Sequence, residues 1–125
     1  MGTAIRADIS SKNKYWINKH RHYELKHFCL QYPEWKKAHS DLREAITPLS
    51  ITKRVAMQTI YSKNIDLVEK TAREADPYLY EYIIKGVTEG KSYTYMRTVL
   101  NIPCGKDMYY DRYRKFFWLL SESRK

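Results

Sequence analysis

Between Lys91 and Leu120 the chain carries two runs of helical spacing separated by a short break that contains its last proline and its last glycine. The first run is Ser92 to Leu100. The break is Asn101-Ile102-Pro103-Cys104-Gly105, to which Gly105 is expected to lend flexibility, and the second run goes from about Lys106 to Leu120. Proline has no backbone N–H to give to a helix interior, so one continuous helix over this stretch is excluded. In the second run Tyr109, Tyr113, Phe116 and Leu120 are spaced 4, 3 and 4 apart, which places them on one packing face, and Phe117 widens that face. The opposite face presents Lys106, Asp107, Tyr110 and Arg114, with Asp111 and Lys115 further round. Lys106, Tyr110 and Arg114 recur every fourth residue, an exposed basic stripe about 12 Å long by the helical rise. Two short helices joined by a few turn residues, the second basic and aromatic, have the outline of a helix-turn-helix unit, here within residues 78–120.

The rest of the chain also punctuates as helices. Asp76-Pro77 reads as a helix-start signal, a capping carboxylate before a proline at the first helical position. It opens a helix over Tyr78 to Val87, with Leu79, Tyr82, Ile83 and Val87 at three- and four-residue spacing. Gly90 suits a left-handed stop, and Ser92 caps the next helix. Upstream, Asn13 caps a helix over Asn13 to Gln31 with a rough stripe of Trp16, Tyr23, Leu25, Phe28 and Leu30. Pro33 interrupts and fits the first turn of a second helix, Pro33 to Ile46, whose apolar face is Trp35, Ala38, Leu42, Ala45 and Ile46. Thr47-Pro48-Leu49-Ser50 reads as a linker. A short helix is expected over Ile51 to Tyr61, and another over Ile65 to Glu74 capped by Ser62 or Asn64. The expected fold class is therefore all-α, with a flexible tail at 1–12, an N-terminal helical pair or hairpin at 13–49, and a helix-turn-helix domain at 50–125.

Charge says what such a fold would meet. The 125-residue chain has a net charge of +9 and a pI near 9.5. Residues 1–63 hold 12 Lys/Arg against 5 Asp/Glu, residues 64–90 hold 3 against 6, and residues 91–125 hold 8 against 3. Two basic flanks around an acidic middle point to a polyanionic partner, most simply nucleic acid. The twelve tyrosines fit either the wet edge of a core or a surface that touches phosphates and bases. No window approaches the ~18 apolar residues of a membrane span. Two cysteines, Cys29 and Cys104, make no disulfide framework, and a reduced, cytoplasmic setting is the expectation.

Motifs for chemistry are missing. His20, His22, His27 and Cys29 sit close in sequence, but a straight helix scatters them over several faces, so no metal is expected. Cys104 has no histidine near it in sequence to act as base and reads as a small residue of the turn. Gly86, Gly90 and Gly105 are isolated and form no phosphate-cradling loop. Neither an enzyme nor a cofactor is expected. Glu69, Glu74, Asp76 and Glu81 read as a solvated acidic face or a contact surface for a basic partner.

The segment ADPYLYEYIIKGVTEGKSYTYMRTVLNIPCGKDMYYDRYRKFFWLL, within Ala72–Arg124, resembles the C-terminal part of small phage and prophage transcriptional regulators of the RinA and ArpU type, which are similar to the region-four helix-turn-helix of bacterial sigma factors. The matching pieces are Tyr93 to Leu100, Ile102-Pro103-Cys104-Gly105 and Met108 to Leu120. The upstream motif HYELKHFCLQYPEWKK resembles the leading part of such proteins. The chain departs from the pattern where Pro103-Cys104-Gly105 replaces the Ser or Thr that caps the second helix. The resemblance implies sequence-specific double-stranded DNA binding by a transcriptional regulator, with RNA polymerase as a further partner. Lys106, Tyr110 and Arg114 are the expected groove contacts, and Lys91, Arg97, Arg112 and Lys115 the expected phosphate contacts. A unit this small reads few base pairs, so a homodimer through the N-terminal helices is expected, with Trp16, Phe28 and Trp35 as its surface. The rival reading is a phage-encoded helical protein that binds a host protein or nucleoprotein, as an inhibitor or assembly factor.

Overall fold

The computed structural model describes residues 11–44 and 51–125. Among the described residues all regular structure is helical. In chain order the helices are α1 (Lys19–Leu30), α2 (Tyr32–Glu44), α3 (Ile51–Ala75), α4 (Tyr80–Glu89), α5 (Tyr93–Thr98) and α6 (Lys106–Ser123). The tail expected at 1–12 falls almost wholly outside the described residues, as do the linker at 47–50 and the end of the second helix at Ile46.

Several local signals act as their chemistry requires. Pro33 lies in the first turn of α2. The Asp76 carboxylate accepts from the backbone N–H of Tyr78 at 2.8 Å and of Leu79 at 3.0 Å, which closes a turn over 77–79, so α4 runs from Tyr80 to Glu89 rather than from Tyr78 to Val87. Gly90 ends α4 at φ 69°, in the left-handed region, and donates to the Gly86 carbonyl. The Ser92 hydroxyl accepts from Tyr95 N–H at 3.2 Å and caps α5.

Other expectations change. Asn13 does not cap a helix. Its side chain accepts from Tyr15 N–H and its carbonyl from Trp16 N–H, a tight turn that competes with helix, and α1 begins only at Lys19. The two helices expected on either side of Ser62 and Asn64 are one, α3. No Gly or Pro occurs between Ile51 and Ala75, and an interior Ser or Asn costs only about 0.5–0.7 kcal/mol, which packing against α2 and the core outweighs. Helix α5 stops at Thr98 rather than Leu100, because Asn101 turns the chain at φ 54°. Gly105 has an ordinary extended backbone, φ −80° and ψ 171°, and serves as the N-terminal cap of α6 rather than as a flexible joint.

Helix α6 is the axis of the core. Its Tyr109, Tyr113, Phe116, Phe117 and Leu120 are all buried, the face that the spacing predicts. Around it pack Leu25, Phe28 and Cys29 of α1, Val68, Ala72 and Ala75 of α3, Ile83 and Val87 of α4, and Met96 of α5. The cluster draws on both the 13–49 and 50–125 segments. Each large side chain so buried contributes roughly 1.5–3 kcal/mol. The fit is tightest at Gly86. A Cβ there would lie 2.0 Å from the Tyr109 hydroxyl, so only glycine lets α4 and α6 approach this closely. The Tyr109 hydroxyl is buried without a hydrogen-bond partner among the described residues, and burial pushes its pKa well up. Phe28 and Trp35, expected on a partner surface, instead pack on each other in the core with ring centroids 4.8 Å apart, while Trp16 is 37% exposed. Their apolar area is spent where α1 meets α2.

Candidate nucleic-acid interface

The region that the sequence singles out is built from the end of α5, the connector 99–105 and the first turn of α6. The connector is fixed rather than loose. Asn101 in the left-handed region folds the chain back, so that Ile102 is buried and its N–H donates to the Met96 carbonyl at 3.0 Å. The Tyr93 hydroxyl donates to the Cys104 carbonyl at 2.6 Å. Tyr109 N–H donates to the Gly105 carbonyl, which starts α6 at Lys106. The Cys104 thiol is half-buried, and burial, then the Asp76 carboxylate, raise its pKa. Burial does the same to Cys29, so both side chains are held as neutral thiols. Among the described residues no three His, Cys, Asp or Glu side chains converge as a metal site would require. No described helix is long and apolar enough to cross a membrane.

The seven expected contact residues fall into three groups. Arg97 and Lys106 are exposed, one at the end of α5 and the other at the start of α6. They flank the connector, whose Asn101 and Pro103 are also exposed. Lys91 is close by in sequence and half-buried, its ammonium 4.6 Å from the Tyr95 ring centroid.

Tyr110 and Arg112 are committed to the protein itself. The Tyr110 ring packs among Tyr93, Tyr109 and Tyr113, and its hydroxyl accepts from Tyr93 N–H at 3.3 Å. Arg112 donates from Nε to the buried Asp76 carboxylate at 3.0 Å and from a terminal nitrogen to Asp111. Two carboxylates thus offset the charge expected to face a phosphate. Asp76 is tied at both oxygens, to the turn before α4 and to α6.

Arg114 and Lys115 form the third group. Both are half-buried on the flanks of α6, and the Arg114 Nε is buried without a hydrogen-bond partner among the described residues. The stripe expected at Lys106, Tyr110 and Arg114 is therefore exposed only at Lys106. From Tyr109 to Ser121 no residue of α6 is fully exposed, because neighbouring helices cover both flanks as well as the packing face. Within α6 the first turn, Lys106-Asp107-Met108, and the last two residues, Glu122 and Ser123, are exposed.

Two contributions escape a reading of spacing alone. Asn101 has no role in the helical pattern on either side of it, although Asn in a break is itself a left-handed turn signal. Arg21 of α1 holds the far end of α6, donating to the Ser121 hydroxyl at 3.1 Å and to the carbonyls of Ser121 and Arg124 at 3.1 and 3.0 Å. A cation at a helix C-terminus meets the negative end of its dipole. No local pattern links residues a hundred positions apart.

No protein-family model, no curated protein and no solved structure matches the chain.

Proposed function

We propose that this chain binds double-stranded DNA through the edge formed by α5, the connector 99–105 and the first turn of α6, as a transcriptional regulator of phage or prophage type. In this reading α5 and α6 are the two helices of a helix-turn-helix similar to that of sigma factor region four. The observation that carries it is the position of Arg97 and Lys106. They are exposed on either side of a connector held in place by Ile102 and Tyr93, and neither makes an ion pair among the described residues. Helices of this kind address bases with their N-terminal residues, and the first turn of α6 is exposed. The net charge of +9 supplies the long-range attraction. A partner such as RNA polymerase or a second copy of the chain would extend so short a reading edge.

The test is a salt-titrated binding measurement on duplex DNA, first with mixed genomic fragments. Arg97→Ala and Lys106→Ala are each expected to weaken binding and to lower the slope of log affinity against log salt by about 0.9 for each phosphate no longer neutralised. Absence of duplex binding at low salt removes the proposal.

A further inference from the structure

A second group of cations lies at the other end of α6, roughly 26 Å from Lys106 by the helical rise over Lys106–Ser123. There a groove of about 840 Å³ runs along the outer face of α3 and is closed by the last residues of the chain. Lys63, Lys70, Arg73, Arg124 and Lys125 line it, against the carboxylates of Asp66 and Glu69. Glu69 is already engaged, since it accepts from the Tyr32 hydroxyl and lies 3.9 Å from the Lys36 ammonium. Lys125 pairs with Glu122 at 3.0 Å, which offsets its charge. Lys63 and Lys70 are exposed and make no ion pair among the described residues. They are seven residues apart on one continuous helix, so they share a face and stand roughly 10 Å apart.

The groove is also held in shape. Arg21 fixes Ser121 and Arg124 by their carbonyls, and the Arg124 guanidinium sits 3.7 Å from the centroid of the Phe28 ring. Arg73 lies over the Tyr80 ring at 5.0 Å. A second depression, which shares Lys63 and Asp66, continues the surface toward His39 and Arg43 of α2. The expected split of α3 into two short helices conceals this face, since Lys63 then falls in a break.

We propose that the groove between α3 and the chain's last residues is a second polyanion-binding site, which takes the phosphodiester backbone of duplex DNA through Lys63 and Lys70. It is separate from the α5–α6 edge and supposes the same class of partner. A protein with cations at both ends of its axial helix contacts two stretches of backbone, either along one bent duplex or on two neighbouring ones.

Fluorescence anisotropy on a mixed-sequence duplex, titrated with salt, tests this with the full chain. The Lys63→Gln/Lys70→Gln double variant is expected to lower the salt slope by about 1.8, two phosphates at 0.9 each. Lys63→Arg/Lys70→Arg keeps the original slope, which separates removal of charge from altered structure. The Arg97→Gln/Lys106→Gln double variant reports on the other edge. A slope unchanged in Lys63→Gln/Lys70→Gln but lowered in Arg97→Gln/Lys106→Gln overturns the groove and leaves the edge standing. The reverse result supports the groove and overturns the edge. Binding of anionic phospholipid vesicles that depends on Lys63 and Lys70, with duplex binding unaffected, overturns the groove as a nucleic-acid site, and no duplex binding at all overturns both.

Discussion

The first turn of α6 and the body of the same helix put similar residues to opposite uses. In the turn, Lys106 is exposed beside exposed Asp107 and Met108. In the body, Arg112 is bound to Asp76 and Asp111, Tyr110 is wedged among three other tyrosines, and the Arg114 Nε is buried. A charge in the turn is available to a partner, and a charge in the body holds helices together. Residue type therefore does not tell which side chains of this helix are exposed, and the neighbours that reach its flank do. The comparison predicts that substitutions in the body cost stability and that substitutions in the turn cost binding alone.

The largest effect is expected at Gly86. Gly86→Ala pushes a Cβ to 2.0 Å from the Tyr109 hydroxyl and should destabilise by about 3 kcal/mol or more, read by denaturant unfolding. Adding Tyr109→Phe removes the clashing oxygen and should restore part of that loss, since the next ring atom is 3.4 Å from the Cβ. Equal stability of the single and double variants would show that the contact is not what confines Gly86.

Next comes pH. His22 is buried with its ring edge-on to Phe117 at 4.8 Å and its Nε2 without a hydrogen-bond partner. Burial, and after it the charge of Lys26, lowers its pKa from 6.5 to about 4. The unfolded chain then binds the proton more tightly than the folded one. His22's contribution is complete above pH 6.5, declines as pH falls to about 4, and is flat below, with a total of up to ~3 kcal/mol. His22→Leu should remove that slope from the stability–pH profile, and a profile that keeps it would place the proton elsewhere.

Asp76→Ala deletes the turn closure before α4 and leaves Arg112 without its buried carboxylate, at about 2–3 kcal/mol by thermal unfolding. Asp76→Asn keeps an acceptor for the turn and should cost less. Tyr109→Phe alone frees the core of an unpaired hydroxyl and should change stability by no more than about 1 kcal/mol, toward greater stability. Smallest of all in stability, within about 0.5 kcal/mol, are Arg97→Ala and Lys106→Ala, exposed positions whose effect should appear in duplex affinity. If Arg112→Ala weakened binding while leaving stability intact, the contrast between turn and body would fail.

Most of the fold was legible because its signals are local. Asp76-Pro77, Gly90 and Ser92 each act within a turn of themselves, and the 4-3-4 spacing of Tyr109, Tyr113, Phe116 and Leu120 needs nothing beyond the helical period. Legibility failed where two readings were locally equivalent. Asn13 can cap a helix or close a tight turn, and Tyr15, resting on Trp118 at 6.1 Å, accompanies the second. Ser62 and Asn64 can cap a helix or ride inside one, and the packing of α3 on α2 favours the second. For the candidate site, the sequence foresaw the exposure of the break and of Lys106 but not the burial of the residues that follow. The connector and Lys106 stand where the break implies, whereas periodicity directs Tyr110 and Arg114 outward and the fold half-buries them.

By itself the sequence determined a helical fold class, where several of its helices start, which face of α6 is the core, and a strong positive charge. These follow from backbone geometry and composition, which act over a few residues or over none. Only the tertiary structure decided that α6 is surrounded, that Arg112 is neutralised by Asp76 thirty-six positions away, and that Arg21 and the chain's last residues meet across a hundred. Periodicity gives the direction in which a side chain leaves its helix. Whether it arrives in water or against another helix depends on what the rest of the chain has placed there.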